Sequence, residues 1–297
     1  RQLKLISVSL AVLSHVRLFG VSDATTAIMV LPSSPQPWCF ATMFLLTSAP
    51  TQQGRSWTTE KALFRVFVAL LLNFTQLPLH ILHNLDAGPT GALAALPDAH
   101  SDRLHFHGVD LIHGHTSGFN RHYANMYTKL HAWRVLAPMC GTVTLVDYDV
   151  LTLRSPDGIF AACGGAPLCA VRTNRNASYF NGGLLVFPPS ETTFAQMRRA
   201  VAAERERGKR RDDAEQGLLN EWYPKWKALP REYNAQGAAG GAYWNPETTV
   251  FLHEKYWLLP PDVQVRLLPK GEGKARPTLF GHLRSFFKHL LAVVMRI

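Results

Sequence analysis

In TLVDYDVLTL, residues 144–153, an apolar run of strand character meets two carboxylates, Asp147 and Asp149, one residue apart, and then resumes. Taking an unpaired charge out of water costs several kcal/mol, so two acids at the end of a buried strand call for a cation or for open solvent. Aspartates spaced D-x-D can both turn oxygens toward one hard cation, Mn²⁺ or Mg²⁺, whose remaining positions are filled by substrate phosphates and water. Such an ion would neutralise a pyrophosphate leaving group. An exposed turn that happens to carry two acids is the plainer reading of the same pattern.

The elements that must position these acids alternate along the chain. WCFATMFLLT at 38–47 reads as a first strand, followed by a helix near 58–74 opened by Thr58 or Thr59, and by strands in LPLHILHNL (77–85) and RLHFHGVDL (103–111). RHYANMYTKLHAWRVLA spaces Tyr123, Met126, Tyr127, Leu130 and Trp133 at helical intervals, with Asn120 placed to cap it, and leads into strand TVTLV. Strand GLLVF at 183–187 stops at two prolines, and Ser190 caps a helix carrying Phe194, Met197 and Val201 on one face; a basic loop and the short helix DAEQGLLNEWY follow. Strands alternating with helices predict an α/β fold, a mostly parallel sheet flanked by helices, and ligands bind such sheets beyond the carboxyl ends of the strands.

Three segments are expected. Residues 1–36 form a tail with the character of a trimmed signal or anchor, basic and then apolar; 37–278 form the catalytic domain; 279–297 form a basic amphipathic helix that packs on the domain or docks on a membrane or partner. The stretch at 62–76 carries Arg65 and reads as a core helix rather than a membrane span. The glycine-rich QGAAGGAYW at 236–244 reads as a loop.

A net charge of +10 favours anionic partners. Apart from RERGKRR at 205–211 the basic residues are scattered, and no zinc-finger, basic-zipper or RNA-recognition signature accompanies them, so nucleic acid is set aside. Cys39, Cys140, Cys163 and Cys169 form no C-x-x-C pair; free thiols are expected, with a Cys163–Cys169 bridge as the alternative. His105, His107, His113 and His115 could suggest zinc, but no carboxylate or cysteine pattern completes a tetrahedral site. Sequons stand at Asn73 and Asn176, which leaves a Golgi or secretory lumen and the cytoplasm both open.

YTKLHAWRV, VTLVDYDVLTLRSPDGIF, SYFNGGLLVFPPSETTF, DAEQGLLNEWY and LPREYN follow one another, over roughly 38–234, as they do in glycogenin-like family 8 glycosyltransferases, which this chain resembles. The resemblance implies a GT-A-type nucleotide-sugar transferase fold, a UDP-sugar donor, Mn²⁺ dependence with Mg²⁺ as the alternative, and retention at the anomeric carbon. By position, Asp147 and Asp149 would hold the metal, with Asp147 also near the ribose and Tyr148 in the donor pocket. Lys129 would face the donor phosphates and sugar, Asn181 and Gly182 the sugar hydroxyls. Glu215 and Gln216 stand where the family has Asp-Gln, and Asn234 and Thr47 would serve acceptor and uridine contacts. Pro269 takes the place of the family's third metal ligand, a histidine, leaving His253 or His282 as substitutes and Lys270, Lys274 and Arg276 for phosphate. Tyr243 falls in the interval of glycogenin's self-glucosylated tyrosine, in unlike surroundings. The expected partners are a UDP-sugar and a glycan or protein acceptor, with membrane association through the termini and a homodimer left open. The rival reading is a UDP-sugar-binding pseudoenzyme or interaction module.

Overall fold

The computed structural model describes residues 36–45, 57–85, 102–115, 123–174, 176–236, 245 and 247–253. The N-terminal tail, Thr47, Asn120, Tyr243, Pro269, Lys270, Lys274, Arg276, His282 and the expected C-terminal helix lie outside the described residues. In chain order the elements are β1 (Gln36–Phe44), α1 (Trp57–Phe74), β2 (Leu79–His83), β3 (Leu104–Gly108), a 3₁₀ turn (Met126–Leu130), α2 (His131–Val135), β4 (Cys140–Val146), β5 (Leu151–Thr152) and α3 (Gly158–Cys163). There follow β6 (Cys169–Arg172), β7 (Phe180–Phe187), α4 (Glu191–Glu206), α5 (Ala214–Trp222), β8 (Lys227–Ala228), a second 3₁₀ turn (Arg231–Asn234), β9 (Ala235–Gln236) and β10 (Phe251–His253).

Seven strands make one sheet in the order β3-β2-β1-β4-β7-β6-β8, and β5, β10 and β9 make a small second one. β3, β2, β1 and β4 run parallel, whereas β7 is antiparallel to both β4 and β6. β2 is buried along its whole length, as a parallel strand covered on both faces must be. Alternation along β1 divides the core: Phe40 and Phe44 face one side, Cys39, Ala41 and Met43 the other.

The first side is covered by α1. Its Phe64, Phe67, Val68, Leu71 and Leu72 recur at helical spacing and pack on Phe40, Phe44, Ile81 and Val146. The second side is covered by α2 and α4, whose Trp133, Phe194, Met197 and Val201 pack on Leu145, Leu185 and Phe187. Trp133 lies flat on Phe187, ring centroids 3.6 Å apart, and its indole N–H donates to the Tyr223 hydroxyl at 3.0 Å. Ser190 caps α4 by accepting from the Thr193 amide. Around Tyr127, where one continuous helix is expected, the chain makes the 3₁₀ turn and only then α2, with no side-chain cap at Asn125. Among the described residues no helix is long and apolar enough to cross a membrane.

The expectation of free thiols is overturned. Cys39 in β1 is bonded to Cys140 at the start of the adjacent β4, and Cys163 at the end of α3 to Cys169 at the start of β6. The first pair is 101 residues apart, and strand adjacency alone brings it together. Of the four histidines weighed for zinc, His105 and His113 are exposed, His107 Nε2 lies 2.9 Å from buried His80 Nδ1, and His115 Nε2 accepts from Arg210. They form no metal-holding group among the described residues.

Replacing both Cys39 and Cys140 by Ser should cost on the order of 2–5 kcal/mol, read as a lower urea midpoint that a dithiol, which also opens Cys163–Cys169, matches or exceeds in the unaltered protein. Burial, aided by His105 and His107, pushes His80 from 6.5 down to about 3, and His107 and His131 shift the same way. The unfolded chain then binds protons that the folded one refuses, so stability is lost as pH falls from 6.5 toward 3. His80→Gln should flatten that decline in urea titrations between pH 7 and 4.

Candidate active site

β4 ends at Val146, and the next residues turn across the carboxyl end of the parallel strands. The turn is closed by the Asp147 amide donating to Gly183 O at 2.9 Å and by the Val150 amide donating to Asp147 O at 3.2 Å. β5 then pairs antiparallel with β10, which carries His253 back over the turn. Asp147, Asp149 and His253 each offer a ligand atom, all within 4.8 Å of one another, and His253 Nε2 stands 3.4 Å from an Asp149 oxygen. A third residue able to ligate a metal is thereby supplied from β10.

The imidazole is oriented by a chain of amides. His253 Nδ1 lies 3.0 Å from Asn234 Oδ1, so its N–H points there and Nε2 is left with a lone pair toward the aspartates. Asn234 Nδ2 in turn donates to Asn181 Oδ1, which also accepts from the Gly183 amide. Asn234 thus serves His253. Gly183 is the enabling residue: a Cβ there would stand 2.3 Å from the His253 ring and 2.9 Å from Asn181 Oδ1, so only glycine lets β7 pass.

Beside this group lies a buried ion cluster. Lys129, in the 3₁₀ turn and 3% exposed, reaches Asp147 at 2.8 Å, Glu215 at 2.9 Å and the Gly182 carbonyl at 3.4 Å. The turn is fixed by burial of Tyr127 and Leu130 and by Thr128 Oγ1, which accepts from the Ile112 amide. Burial by itself would lower the Lys129 pKa; the Asp147 and Glu215 carboxylates overcome it and hold the ammonium above its usual range. Burial also raises Glu215, with Asp147 adding to the rise and Lys129 opposing it. Asp147 and Glu215 share one ammonium while Asp149 stands with Asp147 and His253, so carboxylates outnumber the lysine and a cation would be welcome.

Glu215 and Gln216 reach the site because α5 is tied to the start of β7. The Asn220 side chain accepts from the Phe180 amide and donates to Phe180 O, and Gln216 Oε1 accepts from the Gly182 amide at 2.7 Å. Ala214, just before Glu215, takes φ 49°, a left-handed conformation costing a non-glycine residue roughly 1–2 kcal/mol. The loop into α5 is anchored by Arg211, which grips Glu204 of α4 and Glu221 of α5, so one residue of the basic run is a buried structural arginine. Tyr148 packs edge-on against Phe44 and Phe64, beneath the turn.

The structure therefore gathers Lys129, Asp147, Asp149, Asn181, Gly182, Glu215, Gln216 and Asn234 at one end of the sheet. Gly183 and Asn220 were not singled out by sequence reasoning. The doubled glycine in FNGG is a signal for the first; nothing local marks the second. Gly183→Ala should displace the His253 ring, and a divalent cation that uses the Asp147–Asp149–His253 group should then bind about 10–100-fold more weakly, with Mn²⁺ as the probe. Calorimetric titration of Mn²⁺ into the folded variant would measure it.

No protein-family model matches the chain. A glycogenin of Cryptococcus neoformans is 32% identical over 142 residues, 43% of this chain and 15% of that protein. Glycogenin-1 of Caenorhabditis elegans is 29% identical over 107 residues, 36% of this chain and 23% of that protein. The matched part thus spans less than a quarter of either relative's length. Among solved structures, the galactosyltransferase LgtC, crystallised with donor and acceptor sugar analogs, superposes with a TM-score of 0.53 at 15% identity, over 80% of this chain and 97% of its own. The bifunctional glycosyltransferase WbbM does so with a TM-score of 0.51 at 13% identity, over 81% of this chain and 50% of its own. The chain is glycogenin-like in sequence and has the GT-A fold of glycosyltransferases.

Proposed function

We propose that the chain is a metal-dependent, retaining glycosyltransferase that moves a hexose or hexuronic acid from a UDP-sugar to a hydroxyl of a glycan or protein acceptor. The observation that carries this reading is the convergence of Asp147, Asp149 and His253 beyond the carboxyl ends of the parallel strands, with Lys129 alongside.

Two carboxylates and one imidazole, with the imidazole held by Asn234, suit a divalent cation. The nitrogen tips the set toward Mn²⁺, because Mg²⁺ is bound almost wholly by oxygen. Bound there, the cation would offset the charge of the departing diphosphate. Lys129 adds a second, permanently protonated charge beside Asp147, already desolvated and so needing little reorganisation as negative charge develops. Glu215 grips that ammonium and keeps it in place. The Asn181 Nδ2 group has no partner among the described residues and is free to donate to a sugar hydroxyl, while Gly182 lets the donor approach the backbone. Retention would follow from same-face attack by the acceptor within a short-lived oxocarbenium ion pair.

The test is UDP release from a panel of UDP-sugars, with and without Mn²⁺, for the intact chain and for Asp149→Asn. Release by one donor that needs Mn²⁺ and falls by at least about 100-fold in Asp149→Asn is the expected result. UDP binding with no release from any donor would replace the enzyme by a UDP-sugar-binding protein.

A further inference from the structure

The sequons at Asn73 and Asn176 and the four cysteines take no part in the site described above, yet they point the same way. Asn176, Ala177 and Ser178 are all exposed and lie in the turn between β6 and β7. The turn is self-contained: Thr173 Oγ1 accepts from the Asn176 amide and donates to Asn176 O, and Asn176 Oδ1 accepts from the Ser178 amide at 2.9 Å. That last bond is an Asx turn, which leaves the Nδ2 hydrogens and the Ser178 hydroxyl without a partner among the described residues. A bulky substituent on Nδ2 would displace no packed group.

Asn73 is different. It is exposed in the last turn of α1, but Thr75, the hydroxyl of its sequon, is 2% exposed, donates to Asp157 Oδ1 and accepts from the Leu77 amide. Once the chain folds, that sequon is closed.

The cysteines supply an independent observation. All four are joined in Cys39–Cys140 and Cys163–Cys169. Protein disulfides of this structural kind form and persist in oxidising compartments, and those compartments in eukaryotes are where N-x-S/T asparagines acquire glycans.

We infer that Asn176 is an N-glycosylation site and that the domain folds in an oxidising lumen. The Asn176 Nδ2–H bond breaks and an Nδ2–C1 bond forms to the first sugar of a lipid-diphosphate-linked oligosaccharide. The lipid diphosphate leaves with the bonding electrons, and the amide proton passes to a base of the transferring enzyme. Asn181 and Gly182 follow five and six residues later, so the glycan would stand on the turn that leads into the candidate site. This inference does not depend on the glycosyltransferase reading, because neither the sequon nor the disulfides touch the residues invoked there.

The full chain, expressed in animal cells behind a cleavable secretion leader, would carry a C-terminal tag with its own sequon, whose glycan reports entry into the lumen. Peptide:N-glycosidase F treatment and mass spectrometry should find the Asn176 peptide converted to Asp in most molecules, with lower occupancy at Asn73. The mobility shift assigned to Asn176 should vanish in Asn176→Gln and in Ser178→Ala and survive in Ser178→Thr, a set in which the last two keep the asparagine itself. Chains that carry the tag's glycan but leave the Asn176 peptide unmodified, or that emerge from the lumen with four titratable thiols, would overturn the inference.

Discussion

The Lys129 ammonium, buried between the Asp147 and Glu215 carboxylates, is the interaction on which the rest of the site depends. An ammonium at 3% exposure is tolerable only with partners, and removing one partner of such a cluster typically costs about 3–5 kcal/mol. Its three contributors come from a 3₁₀ turn, the end of β4 and the first turn of α5, so satisfying one charge fixes three elements against one another. The supports around them serve that alignment. Thr128 holds the 3₁₀ turn to Ile112, Asn220 clamps α5 to β7, Arg211 ties α4 to α5, and Trp133 presses the helix layer onto Phe187.

A second constraint is steric. β10 brings His253 over Asp149 only because β7 presents Gly183 where any side chain would meet the imidazole. The same strand carries Asn181, whose side-chain Oδ1 accepts from the Gly183 amide and from the Asn234 side chain that orients the ring. The hydrogen bonds that orient His253 and the glycine that admits its ring thus come from one run of backbone, Asn181–Gly182–Gly183. Asp147 is the residue the two clusters share, paired with Lys129 and grouped with Asp149 and His253.

Much of the fold was legible in the sequence because hydrophobic period and capping are local. Phe64, Phe67, Val68, Leu71 and Leu72 announce α1, Ser190 announces α4, and the apolar runs of β1, β2, β4 and β7 announce a covered sheet. The helix expected around Tyr127 was less faithful. Helical spacing of apolar residues does not distinguish an α-helix from a 3₁₀ turn followed by one, and the choice there is made by packing and by the need to deliver Lys129 inward.

The sequence by itself determined which residue types stand at the carboxyl end of β4, that the chain alternates strands with helices, and that glycines follow Asn181, since each of these is a property of neighbours in the chain. Only the tertiary structure decided that Cys39 meets Cys140, that Glu215 shares Lys129 with Asp147, that the Asn234 side chain meets the His253 ring, and that His253 stands beside the two aspartates. Those pairings join residues from about 20 to 100 positions apart. They are fixed by which strands lie side by side and by the cost of burying an unpaired polar group, and neither is written in any local stretch of sequence.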